Sequence, residues 1–276
     1  MLEQLRINLV EKRPYAAFFI GIVYVFIAFF TSKIFFSKIT SVATLFLVTL
    51  LLVPTIIKLL GIEERRERKD GAVNFFKDHK DIFEVYIFLF MGIFVGVLLL
   101  ALITNLANFD YQLDFLKEQV RLSSDVVKEK IHTGIEPSLN SFLGLLENNL
   151  LVILICFVLS FFYGAGAMFL IVLNASIFAT FVAFVMRELP TAINKAALLG
   201  IFSIHMIPEL FGFLVAAIAG GVISKAVTQE KFLSSSFRNV MKDSFILFLM
   251  AAAIIVIAAF LETYITTTLF NMFLKL

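Results

Sequence analysis

Residues 200–224 read GIFSIHMIPELFGFLVAAIAGGVIS, an apolar run that is long enough to cross a bilayer as a helix. Because an α-helix turns by about 100° per residue, positions three and four apart lie on the same face. Five residues of the stretch fall within an arc of about 80° on such a helix: His205, Glu209, Gly212, Ala216 and Gly220. Ionisable side chains inside a membrane face protein or water rather than lipid. This face is therefore predicted to lie in the protein interior.

The composition of the whole chain predicts an integral membrane protein. Of the 276 residues, 61% are hydrophobic, and the mean hydropathy of +0.98 is far above that of a soluble domain. The net charge of +2 carries no strong basic excess, so nucleic acid is not an expected partner. The single cysteine, Cys156, excludes an intrachain disulfide and a cysteine-based metal site. The lipid bilayer is the expected partner, and we expect no metal and no cofactor.

The apolar runs predict an all-α, polytopic membrane protein that forms a single membrane domain over residues 1–276. About seven spans are expected, with five as the lower limit, because one run is ambiguous in length. The expected spans cover residues 14–36, 39–60, 81–106, 148–187 as a pair, 194–224 and 243–265.

The run over residues 148–187 is too long for one span and just long enough for two, with a break at Tyr163-Gly164-Ala165-Gly166. Its first part, residues 148–163, would be only about 24 Å long, against a hydrocarbon core of about 30 Å. Either the end of the preceding helix extends this span, or the segment is a partly inserted hairpin.

Residues 61–81 are predicted to form a basic cytoplasmic loop. They contain six lysine and arginine side chains, and positive side chains in short loops mark the cytoplasmic side of a membrane. Gly61 is expected to end the preceding helix, because glycine commonly follows a helix C-terminus. Two spans separate this loop from the N-terminus, which is therefore also predicted to be cytoplasmic.

Residues 107–147 are predicted to form an amphipathic helical insertion on the extracytoplasmic side. They are polar, and Phe109, Leu113 and Leu116 follow the period of a helix. Pro137 is expected to begin a second short helix within the insertion. Because this is the largest expected element outside the membrane, it is the best candidate surface for an extracytoplasmic protein partner.

Four further residues extend the candidate polar intramembrane site. Pro208 removes a backbone hydrogen bond beside the histidine and the glutamate, so polar partners are needed there. Asn148 and Asn149 open the fourth span, and Asn174 lies inside the fifth. Amides at such positions cap helices or form hydrogen bonds between them. Asn174 is a candidate partner for the polar face of the sixth span.

Small residues predict where the helices pack closely. Gly92 and Gly96 form a GxxxG pair in the third span, and Gly212, Ala216 and Gly220 form the groove in the sixth. Such faces suit a neighbouring helix of the same chain or a second protomer, so a homodimer stays open as an alternative.

The sequence indicates no enzyme. The run EERRER at residues 63–68, with Phe75 and His79, matches the EExxxR and FxxxH motifs of glutamic intramembrane proteases. Those motifs need separate membrane helices, whereas here both lie in one hydrophilic loop. The chain has no Ser-His-Asp arrangement, phosphate-binding glycine loop or HExxH motif. Two ligands from one helix, a histidine and a glutamate, are too few to bind a metal.

Residues 148–225 resemble the stage II sporulation protein M family, which consists of multi-span membrane proteins of bacteria and archaea. The resemblance rests on Asn148-Asn149, a break at Gly164 and Gly166, Asn174, and His205-Met206-Ile207-Pro208-Glu209 before an Ala/Gly-rich helix that reaches Gly220-Gly221. The family commonly has Pro-His-Gly-x-x-Glu at this point. Here Ile204 and Met206 replace the flanking proline and glycine, which leaves the His/Glu spacing intact. The first 147 residues match in layout only.

The resemblance implies a helical membrane protein of the cell envelope. In spore-forming bacteria the family member is a scaffold that recruits cell-wall-degrading partners during engulfment, and most other members have no assigned role. We therefore expect a non-enzymatic scaffold or partner-recruiting protein in the cell membrane.

The alternative is a transporter or channel with a polar site at His205 and Glu209 on a Pro-interrupted helix, next to a short Gly-broken span. A cavity that reaches Glu209 favours this alternative. Close packing around Glu209, against a neighbouring helix or a second protomer, favours the scaffold.

Overall fold

The computed structural model of the chain describes residues 13–70, 80–119, 137–163, 166–188, 194–229 and 234–274. Within these residues the chain is helical and has no strand. Seven of the described helical segments are long and apolar enough to cross a membrane. The predicted all-α, polytopic fold with about seven spans is therefore confirmed.

The described helices are numbered α1 to α9 along the chain. In the first half of the chain they are α1 (Ala16–Phe35), a 3₁₀ turn (Ser37–Ile39), α2 (Thr40–Asp70), α3 (Lys80–Ile103), a second 3₁₀ turn (Leu106–Phe109) and α4 (Asp110–Gln119). In the second half they are α5 (Leu139–Tyr163), α6 (Met168–Glu188), α7 (Lys195–Gln229), α8 (Ser235–Phe260), a π-helix (Leu261–Thr266) and α9 (Thr267–Leu274).

The second helix is longer than predicted. Gly61 does not end α2, which continues to Asp70. The first part of the predicted 61–81 loop is therefore helical, and residues 71–79, which include Phe75 and His79, lie outside the described residues. A glycine inside a helix costs only about 1 kcal/mol relative to alanine, and the glutamate and arginine residues that follow are strong helix formers. Local helix propensity therefore outweighs the glycine.

The fifth helix resolves the ambiguity over the short span. α5 begins at Leu139 and runs without interruption to Tyr163, which gives a length of about 37 Å. The span is therefore extended by the helix that precedes it, and the hairpin alternative is wrong. Residues 139–147 belong to this span and not to a separate helix within the predicted 107–147 insertion. The predicted break is present, because α6 begins at Met168.

The helix α7 lies at the centre of the bundle. It packs most extensively against α8 and α5, and it also contacts α2. On the other side of the bundle α3 packs against α1 and α6. The span in α7 is the most buried of the seven described spans. This burial agrees with an interior position for its polar and small-residue face.

Glycines allow two pairs of helices to approach until their backbones touch. A methyl group added at Gly92 would overlap the carbonyl oxygen of Phe18, which joins α3 to α1. One added at Gly220 would overlap the carbonyl oxygen of Phe157, which joins α7 to α5. The other small residues of the prediction also lie at contacts: Gly96 beside Val25, Gly212 beside Ile255, and Ala216 fully buried.

The contact at Gly92 predicts a specific loss of stability. The substitution Gly92→Ala forces α1 and α3 apart, so we expect the free energy of unfolding to fall by about 1–3 kcal/mol. Gly200→Ala is the matched control, because nothing lies within 4 Å of a methyl group at that position. Its expected effect is a gain of up to about 1 kcal/mol from helix propensity. Thermal unfolding in detergent measures both, and an equal response of the two variants would contradict the close contact.

Candidate functional site

A cavity of about 190 Å³ lies among the helices on one side of α7. Its walls come from α4, α5, α6 and α7 and from the π-helix that follows α8. Most of the lining is apolar, and the polar lining residues are Asn148, Asn149, Asn174, His205, Glu209 and Glu262. Five of the six residues predicted for the polar site therefore line one cavity, although they come from three different helices.

Glu209 meets polar groups of two other helical segments inside the bundle. Asn149 Nδ2 donates to Glu209 Oε1 over 2.6 Å, which connects α5 to α7. Glu262 of the π-helix is the neighbouring acid, and both acids line the cavity. Two adjacent carboxylates repel each other, and a proton held by one of them removes that repulsion. The Glu209–Glu262 pair, named here the carboxyl pair, is therefore arranged so that one proton can serve both acids.

His205 contacts the last membrane helix. Its Nδ1 lies 3.1 Å from Thr266 Oγ1, and its Nε2 lies 4.0 Å from Glu262 Oε1. The ring also packs edge-to-face against Phe202, with 6.0 Å between ring centroids. The distance from Nε2 to Glu262 Oε1 exceeds that of a hydrogen bond. His205 therefore adds a third titratable side chain beside the carboxyl pair without being hydrogen-bonded to Glu262 through Nε2.

The π-helix brings Glu262 and Thr266 to this site. Within Leu261–Thr266 the backbone N–H of Thr267 bonds to the carbonyl of Glu262, five residues earlier. One-turn π segments insert an extra residue into a helix and often occur at functional sites. Because Glu262 and Thr266 are four residues apart, both face α7, where one meets Glu209 and the other meets His205.

The other predicted site residues have different environments. The Asn174 amide donates to the Leu170 carbonyl of its own helix over 2.8 Å, so it lines the cavity without bonding to α7. Pro208 does not line the cavity, and α7 runs through it without a break. The predicted Pro-interrupted helix is therefore wrong, because a membrane helix tolerates the loss of one backbone hydrogen bond. The predicted short span is also absent, since α5 is full length.

Glu262 is the functional candidate that sequence reasoning missed. It lies near the end of the predicted span over residues 243–265. The available signal was the acid itself, because a carboxyl group within a membrane segment is a candidate functional residue by default. The sequence could not predict that its partner is Glu209, since helical periodicity does not tell which helix an acid faces.

The described part of the predicted insertion forms one wall of the cavity. Phe115 and Leu116 of α4 line it. Gln112 anchors α4, because its Nε2 donates to Ser176 Oγ over 2.9 Å and its Oε1 accepts from Ser41 Oγ over 2.6 Å. Residues 120–136 of the insertion lie outside the described residues. The inner face of α4 is therefore part of the membrane bundle, and only its outer face can meet a partner.

The cavity is suited to protons and hydrogen-bonding ligands. Among the residues that the structure describes, no group of three or more His, Cys, Asp and Glu side chains is placed to hold a metal ion. The carboxyl pair can exchange a proton, and the amide and imidazole groups beside it can donate or accept hydrogen bonds.

Comparison with known proteins identifies a family. The sequence profile described as "Stage II sporulation protein M" matches residues 85–267, which is more than half of the chain. The match extends well beyond residues 148–225, which carry the resemblance, and includes every polar residue that lines the cavity. No curated protein and no solved structure matches the chain.

The bond between Asn149 and Glu209 predicts a difference between two neighbouring asparagines. Asn149→Ala removes the amide donor and leaves a partly buried carboxyl oxygen of Glu209 without it, so we expect the free energy of unfolding to fall by about 1–2 kcal/mol. Asn148 is exposed, and Asn148→Ala is expected to change stability by less than about 0.5 kcal/mol. Unfolding in mixed detergent micelles compares the two. Equal losses would mean that the hydrogen bond does not stabilise the fold.

Proposed function

Because the chain belongs to the stage II sporulation protein M family and holds a carboxyl pair in a cavity among its membrane helices, we propose that it is a proton-linked transporter and not an enzyme. The observation that carries this proposal is that Glu209 and Glu262, from two different helical segments, line the same cavity. An ionisable group inside a membrane is costly, and such groups commonly mark ion and proton pathways. Here two acids from different helices meet inside one cavity.

The shared proton supplies the coupling that such a transporter needs. When the proton leaves, the carboxyl pair carries one more negative charge in an apolar interior, and that state is strongly disfavoured. Proton release is therefore balanced either by a return of the proton or by the binding of a cation. His205, within 4.0 Å of Glu262, is the neighbouring group that can accept and pass on the proton.

The support for transport rests on the cavity and not on broken helices. The sequence suggested discontinuous helices around a central site, but α5 and α7 are both continuous. What supports the proposal is that the cavity reaches Glu209 and is not filled by side chains of the neighbouring helices. A purely structural seam would be expected to close around a buried carboxyl group.

Proton flux across liposomes tests this function. The purified chain is reconstituted in vesicles that contain a pH-sensitive dye, and a potassium diffusion potential drives protons inward. We expect flux above that of protein-free vesicles, reduced at least tenfold in Glu209→Gln and in Glu262→Gln, because an amide cannot release a proton.

Glu147→Gln is the matched control for the flux measurement. Glu147 is an exposed acid on α5 that does not line the cavity, so its removal is expected to leave the flux unchanged. Proton flux in wild-type vesicles that is no higher than in protein-free vesicles would contradict the transporter proposal. Full proton flux in the Glu209→Gln variant would contradict it as well.

A scaffold is the second candidate, and the outer face of α4 supports it. Asp110, Tyr111 and Asp114 are exposed on this face, while Gln112 and the stacked pair Phe109–Phe29 hold the opposite face against the bundle. A rigidly anchored helix with an exposed tyrosine loses little conformational entropy when a partner binds, which favours recognition. An extracytoplasmic protein is the proposed partner of this face, and a homodimer through another surface is compatible with it.

Site-specific crosslinking in cells tests the scaffold candidate. A photoreactive amino acid at position 111 is expected to crosslink to another polypeptide, because Tyr111 is exposed on α4. The same group at position 19 is the control, since Phe19 is exposed on the membrane helix α1 and is expected to meet lipid. The absence of a polypeptide product specific to position 111 would contradict a docking role for α4.

We also propose that the protein lies in the cell membrane with its N-terminus in the cytoplasm. The six lysine and arginine residues of the 61–81 segment support this orientation, because positive charge is retained on the cytoplasmic side. The outer face of α4 would then lie on the extracytoplasmic side, where an envelope partner could reach it.

A further inference from the structure

The apolar wall of the cavity is rich in aromatic rings. Five phenylalanines line it, from α4, α6 and α7: Phe115, Phe178, Phe181, Phe202 and Phe213. Phe181 and Phe202 meet edge-to-face with 5.0 Å between ring centroids, which holds these two rings in place. Aromatic faces attract cations through their quadrupoles as well as apolar groups through contact. The wall therefore suits a ligand that is both apolar and positively charged.

The charge of the carboxyl pair determines which ligand charge the cavity favours. With one shared proton the carboxyl pair has a net charge of −1, and no lysine or arginine lines the described cavity. One positive charge would make the occupied site neutral, which a low-dielectric interior favours. An anion would add to the existing charge, and a divalent cation would leave the site positive.

The imidazole of His205 offers an atom that a ligand can engage. His205 Nε2 lies 4.0 Å from Glu262 Oε1, which is beyond hydrogen-bond distance. The His205 side chain is more than nine-tenths buried and lines the cavity. When Nδ1 donates its proton to Thr266 Oγ1, Nε2 is an acceptor that a ligand N–H can reach.

The volume limits the ligand to a small molecule. A cavity of about 150 Å³ lined by apolar side chains binds benzene, and this one has about 190 Å³. The space therefore suits a benzene-sized apolar group that carries one short polar substituent, or about eight to ten non-hydrogen atoms in total.

We propose that this cavity binds a small monovalent organic ammonium ion. The ammonium group lies at the carboxyl pair and donates to His205 Nε2, and the apolar group lies among the phenylalanine rings. This inference rests on the proposed function in that it takes the cavity as the working site, but binding itself needs no transport.

Binding of three matched probes to the full chain in nanodiscs tests the proposal. Benzylammonium, benzyl alcohol and benzoate have nearly the same size and shape and differ in charge at neutral pH. Isothermal titration is expected to give saturable one-to-one binding of benzylammonium, at least tenfold weaker binding of benzyl alcohol, and no binding of benzoate. Binding of benzyl alcohol as tight as that of benzylammonium, or no saturable binding of benzylammonium, would overturn the proposal.

Two variants test whether the carboxyl pair, and not a nearby acid, binds the ammonium group. Glu262→Gln is expected to weaken benzylammonium binding at least tenfold, whereas Glu147→Gln leaves it unchanged. Unchanged binding in folded Glu262→Gln protein would overturn the proposal. If that variant does not fold, the three-probe comparison on the wild-type chain still decides, and Phe202→Leu is expected to weaken benzylammonium binding severalfold.

The outcome is distinguishable from that of the flux experiment. Binding of benzylammonium without proton flux would overturn the transporter and leave the ammonium site in place. Proton flux through the carboxyl pair without benzylammonium binding would leave the transporter in place and overturn the ammonium site.

Discussion

The proximity of two partly buried acids, Glu209 and Glu262, is the constraint on which the arrangement of this protein depends. A carboxylate in an apolar interior is strongly disfavoured, and two adjacent carboxylates are worse. The structure meets this constraint by supplying the Asn149 amide to Glu209 and by placing the two acids where a single proton removes their repulsion. Because these three groups come from α5, α7 and the π-helix, the constraint also fixes how the three segments face one another.

Close packing holds those segments at the distances that the polar contacts need. Gly220 lets α7 touch the backbone of α5 at Phe157, and Gly212 receives Ile255 of α8. A hydrogen bond of 2.6 Å between helices tolerates little displacement, so small residues below the polar site keep the acids and the amide in register. The same α7 face therefore positions the site at one end and packs the bundle at the other.

The cavity is what separates this site from an ordinary interhelical hydrogen bond. Interior polar contacts in helical membrane proteins are usually enclosed by packed side chains, but here α4 and α6 leave a space beside the carboxyl pair. The short helix α4 can act as a wall because Gln112 bonds to both α2 and α6. A segment that was expected to project from the membrane thus encloses the site with one face and presents the other to the outside.

The sequence alone determined the membrane class, the seven spans and the inward direction of the His205 face, because hydropathy and helical period are local properties. It also singled out most of the cavity's polar residues, since an amide or acid in an apolar run is unusual wherever it packs. The cooperativity of helices and the surrounding bundle decided that α2 continues past Gly61, that α5 begins before Asn148 and that α7 runs through Pro208. Only the tertiary structure paired Glu209 with Glu262, because two like-charged groups are not expected to meet until a shared proton and a common cavity make that contact favourable.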